Sequence, residues 1–279
     1  MARTPPSKPF PQPKKAYANP DFLESKDARA LRILAEYLEP AGRLARYNVD
    51  DTIVFMGSAR LKARADAERA LAEAEAAGAE DATLAKARHD LEMSAYYEAA
   101  RELARRLTVW SKQLDPNERR FVVCTGGGPG IMEAANRGAS EAKGMNIGLS
   151  ISLPFEAHEN PYVTRELGFQ FHYFFMRKFW FTYTAKAIVF FPGGFGTMDE
   201  LFEMLTLLQT GKIRKHMPIV LFGKQFWTEV INFEVLVRYG TIDAKDVDLV
   251  RITDSLDEAY DFLTRELTDY ALPTPGASL

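Results

Sequence analysis

Three times in this chain a short apolar run ends in glycine and helix-forming sequence follows. TIVFMGS at residues 52–58, FVVCTGGG at 121–128 and AKAIVFFPGG at 185–194 have this form. Strands rich in Val, Ile, Phe and Leu, with no polar alternation, belong in a parallel sheet covered on both faces. Further strands are expected at NIGLSISL (146–153, stopped by Pro154), at MPIVLFG (217–223) and at VDLVRITD (247–254). Helices are expected at residues 130–144, closed by Gly144, and at 197–210, with Leu201, Met204, Leu205 and Leu208 on one stripe. The predicted fold class is α/β: a doubly wound, mostly parallel, Rossmann-like sheet. Ligands of such sheets sit beyond the carboxyl ends of the strands. Gly57 and Ser58, Gly126, Gly127 and Gly128, and Gly193, Gly194 and Gly196 fall there.

The flanks are of a different kind. Residues 1–20 mix prolines with Arg3, Lys8, Lys14 and Lys15 and read as an extended or disordered arm. Residues 21–50 read as a helical extension, which Pro40 breaks or kinks. The Rossmann-like domain is expected over 51–270, with an alanine-rich helical insertion at about 61–95 whose two arms part at Gly78, and a flexible tail over 271–279. With 47% apolar and 26% charged residues, the chain is neither mostly disordered nor a coiled coil. A net charge of -3 gives no ground for nucleic acid or a membrane surface as the partner. No apolar run reaches the roughly 18 residues of a membrane span, and no secretory leader is visible. The one cysteine, Cys124, allows neither an intrachain disulfide nor a cysteine-rich zinc site, and it reads as a core thiol. His158 and His172 have no evident metal-ligand partners and read as structural or solvated. A cytoplasmic location is the expectation.

A strand–glycine–helix turn lets the backbone approach an anion and offers it unpaired N–H groups at a helix start. One such turn serves backbone geometry as readily as chemistry, but three at one sheet edge point to an anionic ligand. The dinucleotide fingerprint G-x-G-x-x-G is missing, because its third glycine would be Ile131 or Glu133. The triphosphate loop is missing too, since Gly211 and Lys212 are followed by Ile213. A monophosphate is the simplest fit. In PGGFGTMDE, residues 192–200, Glu200 is expected in the first turn of a helix, where it is either a reacting carboxylate or structural, as a favourable partner of the helix dipole or, with Thr197, a capping box. Arg177 and Lys178 lie among Phe174, Phe175, Phe179, Trp180 and Phe181, a setting that suits an arginine binding phosphate or carboxylate better than a solvated face.

GGGPGIM, the Arg-Lys pair and PGGFGTMDE, in this order, resemble the Lonely Guy family, cytokinin riboside 5′-monophosphate phosphoribohydrolases often mislabelled lysine decarboxylases. Residues 192–200 match P-G-G-x-G-T-x-x-E at every fixed position. Short plant and fungal members carry Met-His-x-Arg-Lys upstream. Phe174, Phe175, Met176, Arg177 and Lys178 stand there in this chain, so only Arg-Lys survives, which leaves room for a different base preference. GSAR at 57–60, GGGPGIMEAANRGA, FFMRK and LTLLQTGK are more like the longer bacterial branch.

The resemblance implies a nucleosidase that hydrolyses the base–ribose bond of a nucleoside 5′-monophosphate, AMP or an N6-modified AMP, without metal or organic cofactor. It implies Glu200 and Arg177 as catalytic residues. Gly193, Gly194, Gly196 and Thr197 would hold the 5′-phosphate, and Gly57, Ser58, Gly126, Gly127 and Gly128 would line the pocket. Met176 and Lys178 would join the substrate site; Glu133 would bind a ribose hydroxyl, or else is only a helix-start acid. A homodimer, with both subunits near each site, is implied as well, and the aromatic run at 169–181 would suit its burial. The alternative is a non-catalytic nucleotide or molybdenum-cofactor carrier, which would need only the phosphate cradle. A pyridoxal-dependent decarboxylase is the weakest reading, for no context points to a Schiff-base lysine.

Overall fold

The computed structural model describes residues 12–114, 119–152, 160–276 and 278. His158, Pro154 and most of the proline-rich arm lie outside the described residues. Seven strands, β1 (Thr52–Met56), β2 (Val122–Thr125), β3 (Asn146–Ile151), β4 (Gly168–Phe171), β5 (Ala185–Phe190), β6 (Ile219–Phe222) and β7 (Val250–Thr253), form one sheet. Its order is β4-β3-β2-β1-β5-β6-β7 and every pairing is parallel. The helices are α1 (Pro20–Leu23), α2 (Arg29–Arg46), α3 (Arg64–Ala76), α4 (Asp81–Ser111), α5 (Ile131–Glu141), α6 (Phe174–Thr184), α7 (Phe195–Gln209), α8 (Lys224–Val230), α9 (Phe233–Arg238) and α10 (Leu256–Glu266).

Alternate residues of each central strand serve opposite faces. Ile53 and Phe55 pack with Val123, Val189, Val220, Leu107 and Leu263, whereas Val54 and Met56 pack with Cys124, Ile188, Trp180, Leu201 and Met204. Two cores therefore sandwich the sheet, which explains the near-continuous apolar runs. The chain winds outward from β1 to β4, then α6 returns it to β5 on the other side of β1. This reversal is the topological switch point, where ligands of doubly wound sheets bind.

Strand β4 is not among the strands expected from the sequence, because GFQF merges into the aromatic stretch that follows it. Its pattern is nevertheless alternating, with Phe169 and Phe171 buried and Gln170 exposed. Pro40 does not break α2. Lacking an N–H, it leaves the Glu36 carbonyl without its helical donor, and the Trp180 indole N–H donates there instead at 2.9 Å. Gly144 is not the left-handed stop of α5; Lys143 takes that conformation at φ 55°. Gly144 is glycine because a side chain there would strike Thr108. Gly78, at φ 61°, does part α3 from α4. Helix α4 then runs unbroken from this hairpin into the crossover that reaches β2.

At the sheet edge opposite the glycine turns, Asp51 and Arg120 form a fully buried ion pair at 2.8 Å. Arg120 also donates to the carbonyls of Ala271 and Leu272, and Asp51 accepts from the Phe121 N–H. Lys186 and Lys215 donate to the carbonyls of Thr274 and Ser278. These bonds fall within the stretch that the sequence reads as a tail. Among the described residues, no helix is long and apolar enough to cross a membrane.

Candidate active site

The three glycine turns are stitched to one another by backbone bonds. Phe191 N donates to Met56 O at 2.8 Å and Ser58 N donates to Pro192 O at 3.0 Å, joining the turns after β1 and β5. Ile131 N donates to Ser58 O at 3.1 Å, joining the turns after β1 and β2. Gly57 leaves room for Ile131, whose side chain would lie 2.8 Å from an added Cβ. Gly130, at φ 71°, passes so close to Ser58 O that no side chain fits. Gly127, at φ 70°, likewise passes close to Ser150. Met132 folds across Gly126 and Gly128.

A buried amide network, not visible as a motif, supports the second turn. Thr125 Oγ1 accepts from Gly127 N at 2.9 Å and donates to Asn136 Oδ1 at 2.6 Å. Asn160 Nδ2 donates to the same oxygen at 3.0 Å, and Asn136 Nδ2 donates to Asn146 Oδ1 at 2.8 Å. The only sequence signal is the asparagine itself, set among small residues in AANRGAS.

Helix α7 opens at Gly194 with no side-chain cap, so its first N–H groups point to the switch point unclaimed by a capping side chain. Glu200 therefore lies in the second turn, not the first, and the Thr197–Glu200 capping box does not form, because both residues are inside the helix. The glycines of this turn divide in two. A side chain at Gly193 would strike Thr197, whereas an added Cβ at Gly194 or Gly196 meets nothing within 4 Å. Between the latter two, Phe195 is 96% exposed.

Helix α6 brings Arg177 and Lys178 to face α7. The Arg177 guanidinium lies 3.9 Å from Glu200 Oε1, and its Nη1 is 4.0 Å from where a Cβ on Gly126 would stand. One arginine thus spans from the second glycine turn to Glu200. Lys178 Nζ pairs with Asp199 and Glu203, each at 2.8 Å, and lies 4.0 Å from Glu200 Oε2. Glu200 is buried, and burial pushes its carboxyl up to about 7. Lys178 and Arg177 hold it down, while Glu203 and Asp199 push it further up.

Gly57, Ser58, Gly126, Gly127, Gly128, Gly193, Gly194, Gly196, Thr197, Arg177, Lys178 and Glu200 thus lie around one sheet edge. Two others do not present themselves to that edge in the same way. Met176 is buried in the core that holds Trp180 and Leu201. Glu133 accepts a 2.7 Å hydrogen bond from the Tyr97 hydroxyl of α4. Cys124 is buried at the base of the second turn, which raises its thiol well above the usual range. The His172 ring stands edge-on to Tyr173. Among the described residues, no group of three His, Cys, Asp or Glu could hold a metal.

Fold and site together define a parallel α/β protein with an open, glycine-lined helix start and an Arg–Glu pair largely shielded from water at its switch point. A family model described as possible lysine decarboxylase matches residues 132–263, the stretch that carries the Arg-Lys pair and PGGFGTMDE. Solved structures with a similar fold include the molybdenum cofactor binding protein from the phototrophic bacterium Rippkaea orientalis. It is 15% identical, over 77% of this chain and 96% of that one, with a TM-score of 0.47. The Moco carrier protein from Chlamydomonas reinhardtii is 19% identical, over 78% of this chain and 99% of that one, with a TM-score of 0.43. No curated protein matches the chain.

Proposed function

We propose that this protein hydrolyses the N-glycosidic bond of a nucleoside 5′-monophosphate, with AMP or an N6-modified AMP as the first substrate class. The observation that carries the reading is Glu200: a buried carboxylate lifted to about 7, 3.9 Å from an arginine, one turn beyond an open glycine helix start. The 5′-phosphate would sit on the N–H groups of Gly194, Phe195 and Gly196, where the helix dipole favours an anion. The missing side chains at Gly194 and Gly196 would let it approach.

Cleavage of a glycosidic bond passes through an oxocarbenium-like state. Glu200, in its ionised form, would take a proton from water as the oxygen bonds to the anomeric carbon. The departing base takes the bonding electron pair, Arg177 would stabilise the negative charge that develops on it, and the proton taken up by Glu200 would pass to the base, which restores the carboxylate. The products are free base and ribose 5-phosphate. A carboxylate titrating near 7 suits a general base at neutral pH.

A carrier would need the phosphate cradle alone. Burying a carboxylate beside it lowers stability at neutral pH without helping to hold a ligand, which favours the enzyme. The test is incubation of the protein with AMP, GMP, CMP, UMP and N6-isopentenyl-AMP, with product identification. Free base and ribose 5-phosphate from at least one are expected; no release from any, with the protein folded, rejects the proposal.

A further inference from the structure

We infer that Glu36, on α2 of the N-terminal extension, is a positioning residue for Arg177, which makes the extension part of the working site. This inference rests on the hydrolase reading above. Helix α6 has a tyrosine, Tyr173, at its N-cap and no capping side chain of its own. The carboxylate of Glu36, distant in sequence, instead holds the two residues that lead into the helix. It accepts from His172 N at 2.7 Å and from Tyr173 N at 3.2 Å, fixing the residue from which α6 starts. The Tyr173 carbonyl in turn accepts from the N–H groups of Met176 and Arg177, at 3.1 and 3.2 Å. Only one residue therefore separates Glu36 from the backbone of Arg177.

Glu36 holds α6 a second time. Its carbonyl, released by Pro40, receives the Trp180 indole N–H three residues past Arg177. Arg177 is thus bracketed by two hold points that one residue supplies. Its guanidinium must span from Gly126 to Glu200, and misplacement of about 1 Å at such a group can cost on the order of 100-fold in rate. Tyr37 of the same helix lies against Phe179 and Trp180, and Arg29 lies over the Tyr173 ring, whereas Arg43 grips elsewhere: it donates to Gly168 O at 2.7 Å and lies over the Phe169 ring, on edge strand β4.

The test compares the full chain with Glu36→Ala, Glu36→Gln and Arg43→Ala. Turnover of the best nucleoside monophosphate gives kcat and KM, and calorimetry counts ribose 5-phosphate sites per chain. Titration of Glu200 is followed by carboxyl-carbon NMR, assigned with Glu200→Gln. Glu36→Ala is expected to lower kcat about tenfold or more, with KM and site count nearly unchanged. Its Glu200 midpoint should rise by about half a pH unit or more, as Arg177 no longer supports Lys178 against Glu203 and Asp199. Glu36→Gln, which keeps one acceptor oxygen, should fall between. Arg43→Ala should lower Tm and leave kcat and the midpoint unchanged. An unshifted midpoint in Glu36→Ala, or an equal shift in Arg43→Ala, overturns the positioning role. A wild type that releases no base while the midpoint still moves leaves that role standing and rejects the hydrolase reading instead.

Discussion

Arg177 and Glu200 face each other at 3.9 Å across the gap between α6 and α7, both largely shielded from water. The pair is attractive, yet Glu200 still titrates near 7, because desolvation outweighs the help of Arg177 and Lys178. That balance produces the first expectation. If Glu200 is the base, only its ionised form works, so kcat/KM should rise with pH and level off above a midpoint near 7. Initial rates between pH 5 and 9 check it. An acid limb centred near 4.5, the ordinary value for a glutamate, would mean that the working carboxylate is another one.

Stability should run the other way at this residue. A carboxyl raised from 4.5 to about 7 in the folded state favours the protonated form. Its contribution is fully present below pH 4.5 and is lost as pH rises through 7. The full shift corresponds to about 3 kcal/mol. Glu200→Gln should therefore be more stable than wild type at pH 8 by up to that amount, with the difference vanishing below about pH 4.5. Urea denaturation at pH 4.5 and pH 8 measures both.

The glycines of the three turns should separate by role. Gly194→Ala and Gly196→Ala place a methyl in open space. Both should leave Tm within a few degrees of wild type but weaken ribose 5-phosphate binding at least about tenfold, since the added methyl stands where an anion would approach. Gly130→Ala meets the Ser58 backbone at φ 71° and should cost at least about 2 kcal/mol of stability. Thermal melts and calorimetry on the three variants distinguish the two classes.

The parallel sheet and the edge that bears the site were legible because apolar runs and glycine turns are local patterns. What escaped the sequence were relationships between distant residues. Trp180 satisfies the carbonyl that Pro40 releases, so a proline that reads as a break sits inside a continuous helix. GFQF is a strand because β3 lies beside it, not because four residues announce one. Thr197 and Glu200 have capping-box spacing, but α7 starts two residues earlier, at Phe195, where glycines leave the backbone free to turn. Asn136 and Asn160 hold the second turn through bonds between separate segments that no spacing rule reveals.

The buried Asp51–Arg120 pair should be essential to the opposite edge. Arg120→Met would leave Asp51 buried without its cation and free two carbonyls near the chain end. The expected cost is about 3–5 kcal/mol, read as a shifted denaturation midpoint. A change under about 1 kcal/mol would show that the pair is dispensable.

In the proposed hydrolase, Glu200 and Arg177 cleave a bond rather than merely accompany a bound nucleotide. Chromatography of AMP and N6-isopentenyl-AMP incubated with wild type and with Glu200→Gln tests it most directly. Free base is expected from the wild type, and intact nucleotide, still bound, with Glu200→Gln. Equal base release by both proteins, or none by the wild type on any nucleoside monophosphate, would contradict it.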